Sequence, residues 1–550
     1  MTGVGDYDFV IVGGGSAGCV LARRLSDDPL TRVLLLKAGE DDALSLSPKR
    51  FFPKLNVRIP AGFSHVMQDP RISWLYRSEP DEFTNGRAYD FPRGRILGGS
   101  SAINGLAYVR GMPFDYDLWR QLGCTGWAWD DVLPLFKRNE DMTPAKGAWQ
   151  GTGGPLGISD FPQRYASADI FLEACREAGI KRDMSLNEEA EEGLGYAQQT
   201  TRNGLRQSAS IAFLKPVRRR PNLRIEVNCL AEKIIMDGLR ATGVRYSKGG
   251  IANEARAVRE VIVCGGVINS PQLLELSGIG DPERLKALGI VPVANRTEVG
   301  RNFQDHFGVS LPVRLRRGSQ SINASSRGLG LVGQVIRFSL TRRGLLANSA
   351  VCVTGYLRSR PEVEVPDIQA FASTGNIDYV RTQELGRVVL GQEPGFSMTG
   401  YLARPVSRGS VLIKSYSPRD YPAIKPNFLS DESDRRTNIA MVRRLYGLLC
   451  QPSMSRIIKG FLPPFSPAMI NDDEALLAMI RATGFSTYHG SGTCRMGGDE
   501  ASVVDEKLRV RGVGNLRVAD ASIMPQVVSG NTNAACIMIG EKAAQLITAS

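Results

Sequence analysis

The N-terminal region alternates fully apolar runs with glycine-rich breaks. Residues 9–12, Phe-Val-Ile-Val, form a continuous apolar run, which is typical of a strand buried on both faces. Gly13, Gly15 and Gly18 follow at GxGxxG spacing, and residues 17–26 carry the pattern of a helix. In such a unit the glycines permit a sharp turn, approach of a pyrophosphate to backbone N–H groups, and close helix–sheet packing. The pattern predicts a dinucleotide-binding loop, with an ordinary glycine-rich turn as the alternative.

A second buried strand is predicted over residues 32–36, and it ends at Lys37. In dinucleotide-binding folds an acidic residue at this place accepts hydrogen bonds from ribose hydroxyls. Lysine has donors only, so Lys37 can bind a hydroxyl oxygen but cannot replace that acceptor. Glu40 lies three residues further on and is a second candidate. Replacing Lys37 with Glu is therefore expected to tighten cofactor binding.

Further apolar runs and helical spacings extend this alternation of strands and helices along the chain. Strands are predicted over residues 223–227 and 261–264, and helices over 437–450, 473–481 and 533–547. The chain thus has the pattern of an α/β protein.

Three stretches lack a regular period. Residues 41–87 contain several prolines and predict an irregular covering segment. Residues 93–105 concentrate glycine, serine and asparagine, as expected where backbone presses against a flat polar ligand or forms a plain turn. Residues 318–330, rich in Ser, Asn and Gly, predict a mobile or disordered loop at a pocket entrance.

Length and composition indicate a globular protein with more than one core. The chain has 550 residues, of which 42% are hydrophobic and 23% charged. This length favours two domains, or one domain with large insertions. No apolar run reaches membrane-spanning length and no signal-peptide pattern is present, so a cytoplasmic protein without a transmembrane segment is expected. Nine cysteines occur without CxxC pairs or histidine clusters, which predicts free, mostly buried thiols and no metal site.

The formal net charge of +12 raises the possibility of a nucleic-acid ligand. The basic residues are dispersed among acids, without interleaved aromatics or a nucleic-acid-binding motif. We therefore expect no nucleic-acid partner, and a nucleotide-fold protein that binds nucleic acid is kept only as an alternative.

The motifs together resemble the glucose-methanol-choline (GMC) oxidoreductases, flavoenzymes that oxidise alcohols with FAD. Residues 93–105 resemble the first family signature and residues 266–280 the second, where Val267 stands in place of a smaller residue. The resemblance continues through residues 299–306 and from Ser486 to the C-terminus. It implies an enzyme of the α/β class with a Rossmann-like FAD-binding domain, built from discontinuous segments, and a substrate-binding domain of sheet and helices.

The resemblance also implies domain limits and cofactor contacts. The FAD-binding domain is expected to comprise residues 1–155, 205–305 and 481–550, and the substrate-binding domain 156–204 and 306–480. Ile103 occupies the position of a histidine that some members link to FAD, so non-covalent FAD is expected. The expected cofactor-binding residues are Gly13, Gly15, Ser16, Ala17, Gly18, Lys37, Gly99, Ser100, Asn104, Gly105, Ala231, Asp520, Ala521, Asn531 and Thr532.

Alcohol oxidation near neutral pH needs a base, and the chain has only three histidines, His65, His306 and His489. His489 matches the family's active-site histidine, although Gly490 replaces the usual following proline. Asn531 matches its partner, which holds the substrate hydroxyl; a helix-capping role for Asn531 is the alternative. His489 is expected to accept the hydroxyl proton while hydride passes to flavin N5, giving an aldehyde or ketone.

The resemblance leaves the substrate open. Choline-oxidising members carry a glutamate at the position of Cys352, so an uncharged primary, aryl or polyol alcohol is favoured. Choline dehydrogenase and FAD-containing hydroxynitrile lyase are the alternatives. Oxygen or another acceptor takes the electrons, and the sequence predicts no particular oligomeric state.

Overall fold

The computed structural model describes residues 4–44, 47–145, 147–188, 191–349, 351–377 and 389–549. They form two large sheets, each with its own hydrophobic core and its own covering helices. The expected α/β class with a Rossmann-like sheet and a second sheet-and-helix unit is therefore confirmed.

The first sheet has seven strands and a parallel centre. The strand Val4–Val12 pairs in parallel with Val33–Lys37 on one side and with Ile251–Val263 on the other. Its full order is Leu223–Val227, Val33–Lys37, Val4–Val12, Ile251–Val263, Arg240–Lys248 and Cys229–Asp237, with Leu516–Val518 also paired to Ile251–Val263. The continuous apolar runs of the sequence are the central strands, since Phe9 to Ile11 and Val33 to Leu36 are buried.

Helices from both ends of the chain cover this sheet. Ser16–Leu25 follows the first strand and packs against the C-terminal helix Asn533–Thr548. The helices Gly266–Leu276, Pro113–Gln121 and Trp129–Asn139 complete this layer. The carboxyl ends of the parallel strands consequently face the glycine-rich loop, which is where such sheets bind ligands.

The second sheet has eight strands and is mainly antiparallel. Its order is Ile458–Phe461, Phe307–Leu315, Gly395–Leu402, Ile368–Ser373, Val353–Leu357, Gly193–Tyr196 and Lys181–Arg182, with Phe485–Ser486 also paired to Phe307–Leu315. Helices Glu432–Leu449, Ala166–Glu177 and Asp473–Thr483 pack on it. Phe485–Ser486 lies beyond the expected boundary at residue 481, and the domain limits stay a prediction.

The remaining helices and strand pairs lie in the connections between these elements. Helices occur at Pro48–Arg58, Phe63–Val66, Pro282–Ala287, Ile322–Ser325, Gly328–Thr341 and Pro452–Ile457. A two-stranded sheet joins Ser73–Arg77 to Asp90–Gly94, and smaller pairs join Ser410–Leu412 to Ala423–Lys425 and Ser159–Asp160 to Gln198–Gln199. Within the described ranges, no helix combines the length and apolar character needed to cross a membrane.

Two predictions of irregular structure are wrong. Residues 41–87 contain the helix Pro48–Arg58, which a proline at its first position starts and which tolerates Pro53 within its first turns. Residues 318–330 contain the helix Ile322–Ser325, capped by the Ser321 side chain, and the start of Gly328–Thr341. Composition suggested loops, whereas caps and tertiary packing select helices.

Candidate active site

The three glycines of the glycine-rich turn meet different steric requirements. Gly13 has φ +114°, and a Cβ there would lie 2.2 Å from the Cys264 carbonyl oxygen. A Cβ on Gly18 would lie 1.9 Å from the Gly13 oxygen, so both positions require glycine for packing. A Cβ on Gly15 would meet no atom within 4 Å and would project into a cavity. Gly15 therefore keeps space open for a ligand.

The cavity beside Gly15 runs between the two sheets and has a volume of about 1870 Å³. It is lined by nearly all the residues expected to bind the cofactor or the substrate: Gly13, Gly15, Ser16, Ala17, Lys37, Gly99, Ser100, Asn104, Gly105, Ala231, His489, Asp520, Ala521, Asn531 and Thr532. Gly18 is the exception, because it packs behind the turn. One continuous space therefore joins the glycine-rich turn to His489.

The cavity wall has the features of a site for a phosphate-bearing cofactor. Gly15 precedes the helix Ser16–Leu25 without a side-chain cap, so the first N–H groups of this helix face the cavity. Gly99, whose Cβ would approach Gly15 Cα to 2.7 Å, must also be small. Arg93 donates to the Tyr488 carbonyl oxygen at 2.7 Å, while its buried Nε and Nη2 have no partner among the described residues. These donors fit FAD.

Asp520 lines the cavity and connects two segments of its wall through hydrogen bonds. Its Oδ2 accepts from the Gly266 N–H at 2.8 Å and from the Ser270 hydroxyl at 2.6 Å. Its Oδ1 accepts from the Ser522 N–H at 2.8 Å. Asp520 thereby joins the start of the helix Gly266–Leu276 to the C-terminal segment.

Lys37 lies in the cavity wall, but its ammonium group is already engaged. Its Nζ donates to the Gly94 carbonyl oxygen at 3.1 Å, and burial lowers the pKa of Lys37 to about 8. Glu40 is not part of the cavity wall and instead lies 3.6 Å from Lys54 Nζ. A Glu at position 37 would lose the bond to Gly94, which acts against the expected gain in cofactor binding.

His489 and Asn531 meet across the cavity. Asn531 Nδ2 lies 2.9 Å from His489 Nε2. The helix Asn533–Thr548 is instead preceded by Thr532 as its cap residue, without a side-chain cap bond. Asn531 is therefore free of the capping role and its amide faces the imidazole.

His306, to which the sequence assigned no role, determines which nitrogen of His489 carries a proton. His306 Nε2 lies 3.0 Å from the Ala403 carbonyl oxygen and must donate to it, because a carbonyl only accepts. A neutral His306 then accepts at Nδ1, and its neighbour at 3.0 Å, His489 Nδ1, is the donor. His489 Nε2 is thus left with a lone pair, which accepts from the Asn531 amide.

Thr487 supports the same proton arrangement. Its hydroxyl donates to the His306 carbonyl oxygen at 3.0 Å and lies 3.0 Å from His489 Nδ1. A hydroxyl that donates elsewhere is available as an acceptor, so Thr487 Oγ1 is a second acceptor for the His489 Nδ1–H.

Asp305 fixes the backbones of both histidines. Its Oδ1 accepts from the N–H of His306 at 2.8 Å and from the N–H of His489 at 2.7 Å, and the Ser486 hydroxyl donates to its Oδ2. Burial raises the pKa of Asp305 to about 6. Tyr401 stacks on the His306 ring at 4.4 Å between centroids. Asp305 therefore fixes the backbone of both histidines, and Tyr401 packs against the His306 ring.

Burial favours the neutral form of both imidazoles. Burial lowers the pKa of His306 to about 3. It also lowers the pKa of His489 well below its usual 6.5, with further contributions from His306 and the positive charge of Arg93. His489 is consequently neutral at physiological pH, which is the form a general base needs.

His65 and the cysteines, which the sequence also pointed to, are not part of this histidine pair. His65 is exposed and lies at the cavity edge in the short helix Phe63–Val66. Cys352 is buried in the cavity wall. All nine cysteines are free; seven are buried, Cys536 is intermediate and Cys450 is exposed. The described residues contain no cluster of three or more metal-ligating side chains.

The cavity wall is poor in negative charge. Among its described residues the only acidic ones are Asp90 and Asp520, and Asp520 is engaged as above. Four lining residues are basic: Lys37, Arg87, Arg93 and Arg327. The electrostatic environment therefore disfavours a cationic ligand.

Two family models match the chain. The model of the N-terminal part of GMC oxidoreductases matches residues 7–308, and that of the C-terminal part matches residues 405–540. The chain belongs to the GMC oxidoreductase family. As a member it is an FAD-dependent enzyme that oxidises CH–OH groups, as the sequence resemblance predicted.

Curated relatives of this GMC oxidoreductase cover almost the whole chain. It is 39% identical to the mitochondrial choline dehydrogenase of Homo sapiens over 98% of this chain and 90% of that protein. It is also 39% identical to an alcohol dehydrogenase (acceptor) of Pseudomonas putida over 98% of this chain and 95% of that protein. Equal identity to a choline enzyme and an alcohol enzyme makes identity alone uninformative about the substrate.

A solved structure shows the same fold. Pyridoxine 4-oxidase from Mesorbium loti superposes with a TM-score of 0.86 at 29% identity, covering 99% of both chains. The superposition covers both sheets of this chain.

Proposed function

We propose that this GMC oxidoreductase oxidises an uncharged alcohol, with His489 Nε2 as the general base and Asn531 as the group that orients the hydroxyl. The observation that carries the proposal is the hydrogen-bond chain from the Ala403 carbonyl oxygen through His306 to His489. This chain leaves a lone pair on His489 Nε2 beside the Asn531 amide, inside the cavity that also contains Gly15.

FAD, bound without a covalent link because Ile103 has no nucleophilic atom, supplies the hydride acceptor. Its phosphates would lie against Gly15 and the N-terminus of the helix Ser16–Leu25. Ala231, Asn104 and Thr532 line the same cavity and would contact the rest of the cofactor.

The chain's own residues handle the proton. The substrate hydroxyl takes the place between Asn531 Nδ2 and His489 Nε2, which are 2.9 Å apart before it enters. It donates to Nε2 and accepts from the amide, so its oxygen is held while its proton leaves. The resulting imidazolium is stabilised through Nδ1–H by His306 Nδ1 and Thr487 Oγ1.

An uncharged alcohol suits this site better than choline does. A trimethylammonium group needs a carboxylate or a cage of aromatic rings in place of its hydration shell. Cys352 supplies no charge, and the free acidic group in the described wall is Asp90, which lies at the exposed edge. Arg93 adds a positive charge near His489.

The test compares choline with its neutral carbon isostere, in which a tert-butyl group replaces the trimethylammonium group. The two substrates have the same shape, so the ratio of kcat/KM values isolates the charge. We expect the isostere and benzyl alcohol to exceed choline by at least about tenfold, or 1.4 kcal/mol. A higher kcat/KM for choline would refute the substrate assignment, and a flavin that stays oxidised with every alcohol under anaerobic conditions would favour the lyase alternative.

A further inference from the structure

The helix Gly328–Thr341 exposes apolar side chains to its surroundings, which is unusual for a helix of a fully solvated protein. Leu329 is 90% exposed, Leu340 80%, Ile336 54% and Val332 53%. Phe338 is the residue that the helix buries. A surface helix normally turns its apolar stripe toward the core, so this arrangement needs an explanation.

Helical spacing places the exposed residues on one stripe. At 100° per residue, Leu329, Ile336 and Leu340 fall within about 40° of one another, and Val332 lies about 60° to one side. Phe338 falls on the opposite side. The helix therefore packs on the protein through Phe338. It presents to its surroundings a stripe about 17 Å long, at 1.5 Å per residue from Leu329 to Leu340.

The sequence on both sides of this stripe is strongly basic. Residues 306–361 contain nine arginines and no lysine, aspartate or glutamate. Arg337, Arg342 and Arg343 lie on the helix or directly after it, are exposed, and form no ion pair with another described residue. Arg316 and Arg317 are exposed shortly before the helix. The net charge of +12 is thus concentrated in part around an apolar stripe.

We propose that this stripe and its arginines dock on an anionic lipid bilayer. An apolar helix face flanked by cations is the arrangement that lies in the interface of a membrane with negative headgroups. A second copy of the chain is a poor occupant, because a two-fold contact would bring the same uncompensated arginines against one another.

The docking face adjoins the cavity. Arg327 and Leu331 of this region, and Leu345 and Leu346 just after it, line the same space as His489. A docked molecule would therefore hold one wall of its cavity at the bilayer surface.

The test is flotation of the full-length, FAD-loaded protein with vesicles of phosphatidylcholine alone or mixed with phosphatidylglycerol. Wild type should float with the anionic vesicles, and should be released in about 1 M NaCl, where the Debye length is about 3 Å. The double variant Leu329→Glu/Ile336→Glu should lower the bound fraction at least about tenfold, because it places carboxylates on the stripe. The variant Arg342→Gln/Arg343→Gln should lose most of the preference for anionic vesicles.

Val291→Glu is the matched control, since Val291 is 78% exposed but lies elsewhere on the surface. It should bind vesicles as wild type does, and all variants should retain FAD and their melting temperature. Three results would overturn the proposal. The first is a wild type that binds neither vesicle. The second is equal loss of binding in the Val291→Glu control. The third is a wild-type dimer that fails to float and that Leu329→Glu/Ile336→Glu converts to a monomer.

Discussion

Replacing His306 tests whether this residue fixes the tautomer of neutral His489 and stabilises the imidazolium that forms after proton transfer. His306→Leu removes the Nδ1 acceptor that lies 3.0 Å from His489 Nδ1 and keeps an apolar side chain against Tyr401. The His489 Nδ1–H then has Thr487 Oγ1, also at 3.0 Å, as its remaining acceptor. His489 is still available as the proton acceptor in this variant, but its imidazolium form is less stabilised than in the wild type.

The magnitude follows from that single lost bond. A hydrogen bond to a charged group contributes about 1.5–3 kcal/mol. At 1.36 kcal/mol per tenfold change in rate, His306→Leu should slow flavin reduction about 10- to 150-fold. Thr487→Val alone leaves the His306 acceptor and should cost less. The double variant leaves a buried donor without a partner and should be slower than the product of the single effects predicts.

The assay is anaerobic stopped-flow reduction of the bound flavin at saturating alcohol, with the isostere of choline as substrate. FAD content and melting temperature of each variant show whether the fold persists. A rate for His306→Leu within about twofold of wild type, with Thr487→Val equally unaffected, would refute the proposed role of the His306–His489 contact.

Two further predictions concern the cofactor turn and the pH profile. Gly15→Val should leave the melting temperature of the FAD-free protein unchanged, because no atom lies within 4 Å of the added Cβ, but it should abolish FAD retention on gel filtration. Gly18→Val should instead lower the melting temperature, since its Cβ would meet the Gly13 oxygen at 1.9 Å. The reverse pattern would contradict the assignment of Gly15 to the ligand. For the pH profile, the neutral form of His489 is the form that would act as the proposed base, and burial holds its pKa well below 6.5. The value of kcat/KM should therefore stay level as the pH falls to 6.5 and decline only below it, whereas a midpoint above 6.5 would show that the base is less buried or is another group.

The parts of the fold that depend on local pattern could be predicted from the sequence. The apolar run at residues 9–12 lies in the central strand Val4–Val12, because a continuous apolar run is typical of a strand buried on both faces. The glycine spacing gave the separate roles of Gly13 and Gly18 in packing and of Gly15 in keeping space. The helix Pro48–Arg58 could not be predicted, since its apolar spacing is weak and Pro53 lies inside it.

The proposed catalytic pair, His489 and Asn531, was predictable only through the family resemblance, and its supporting residues were not. His306 and His489 are 183 residues apart, and their contact depends on the pairing of Phe307–Leu315 with Phe485–Ser486. Asp305 likewise acts on backbone N–H groups from both segments. The adjacent Asp305 and His306, directly before the mostly apolar run at residues 307–313, were the available signal, since buried polar groups require partners. The exposed stripe on Gly328–Thr341 also escaped prediction, because apolar spacing reveals a stripe but not which way it faces.

The most direct test of the central claim is the rate of anaerobic flavin reduction in His489→Ala. Removing the imidazole takes away the proton acceptor, while Gly15 and the helix Ser16–Leu25 that would hold the phosphates remain. We predict a rate about 10²- to 10⁴-fold below wild type with near-normal FAD content, and a rate within a few fold of wild type for the control His65→Ala. A His489→Ala variant that reduces its flavin as fast as wild type, or that loses its FAD, would contradict the assignment of His489 as the base.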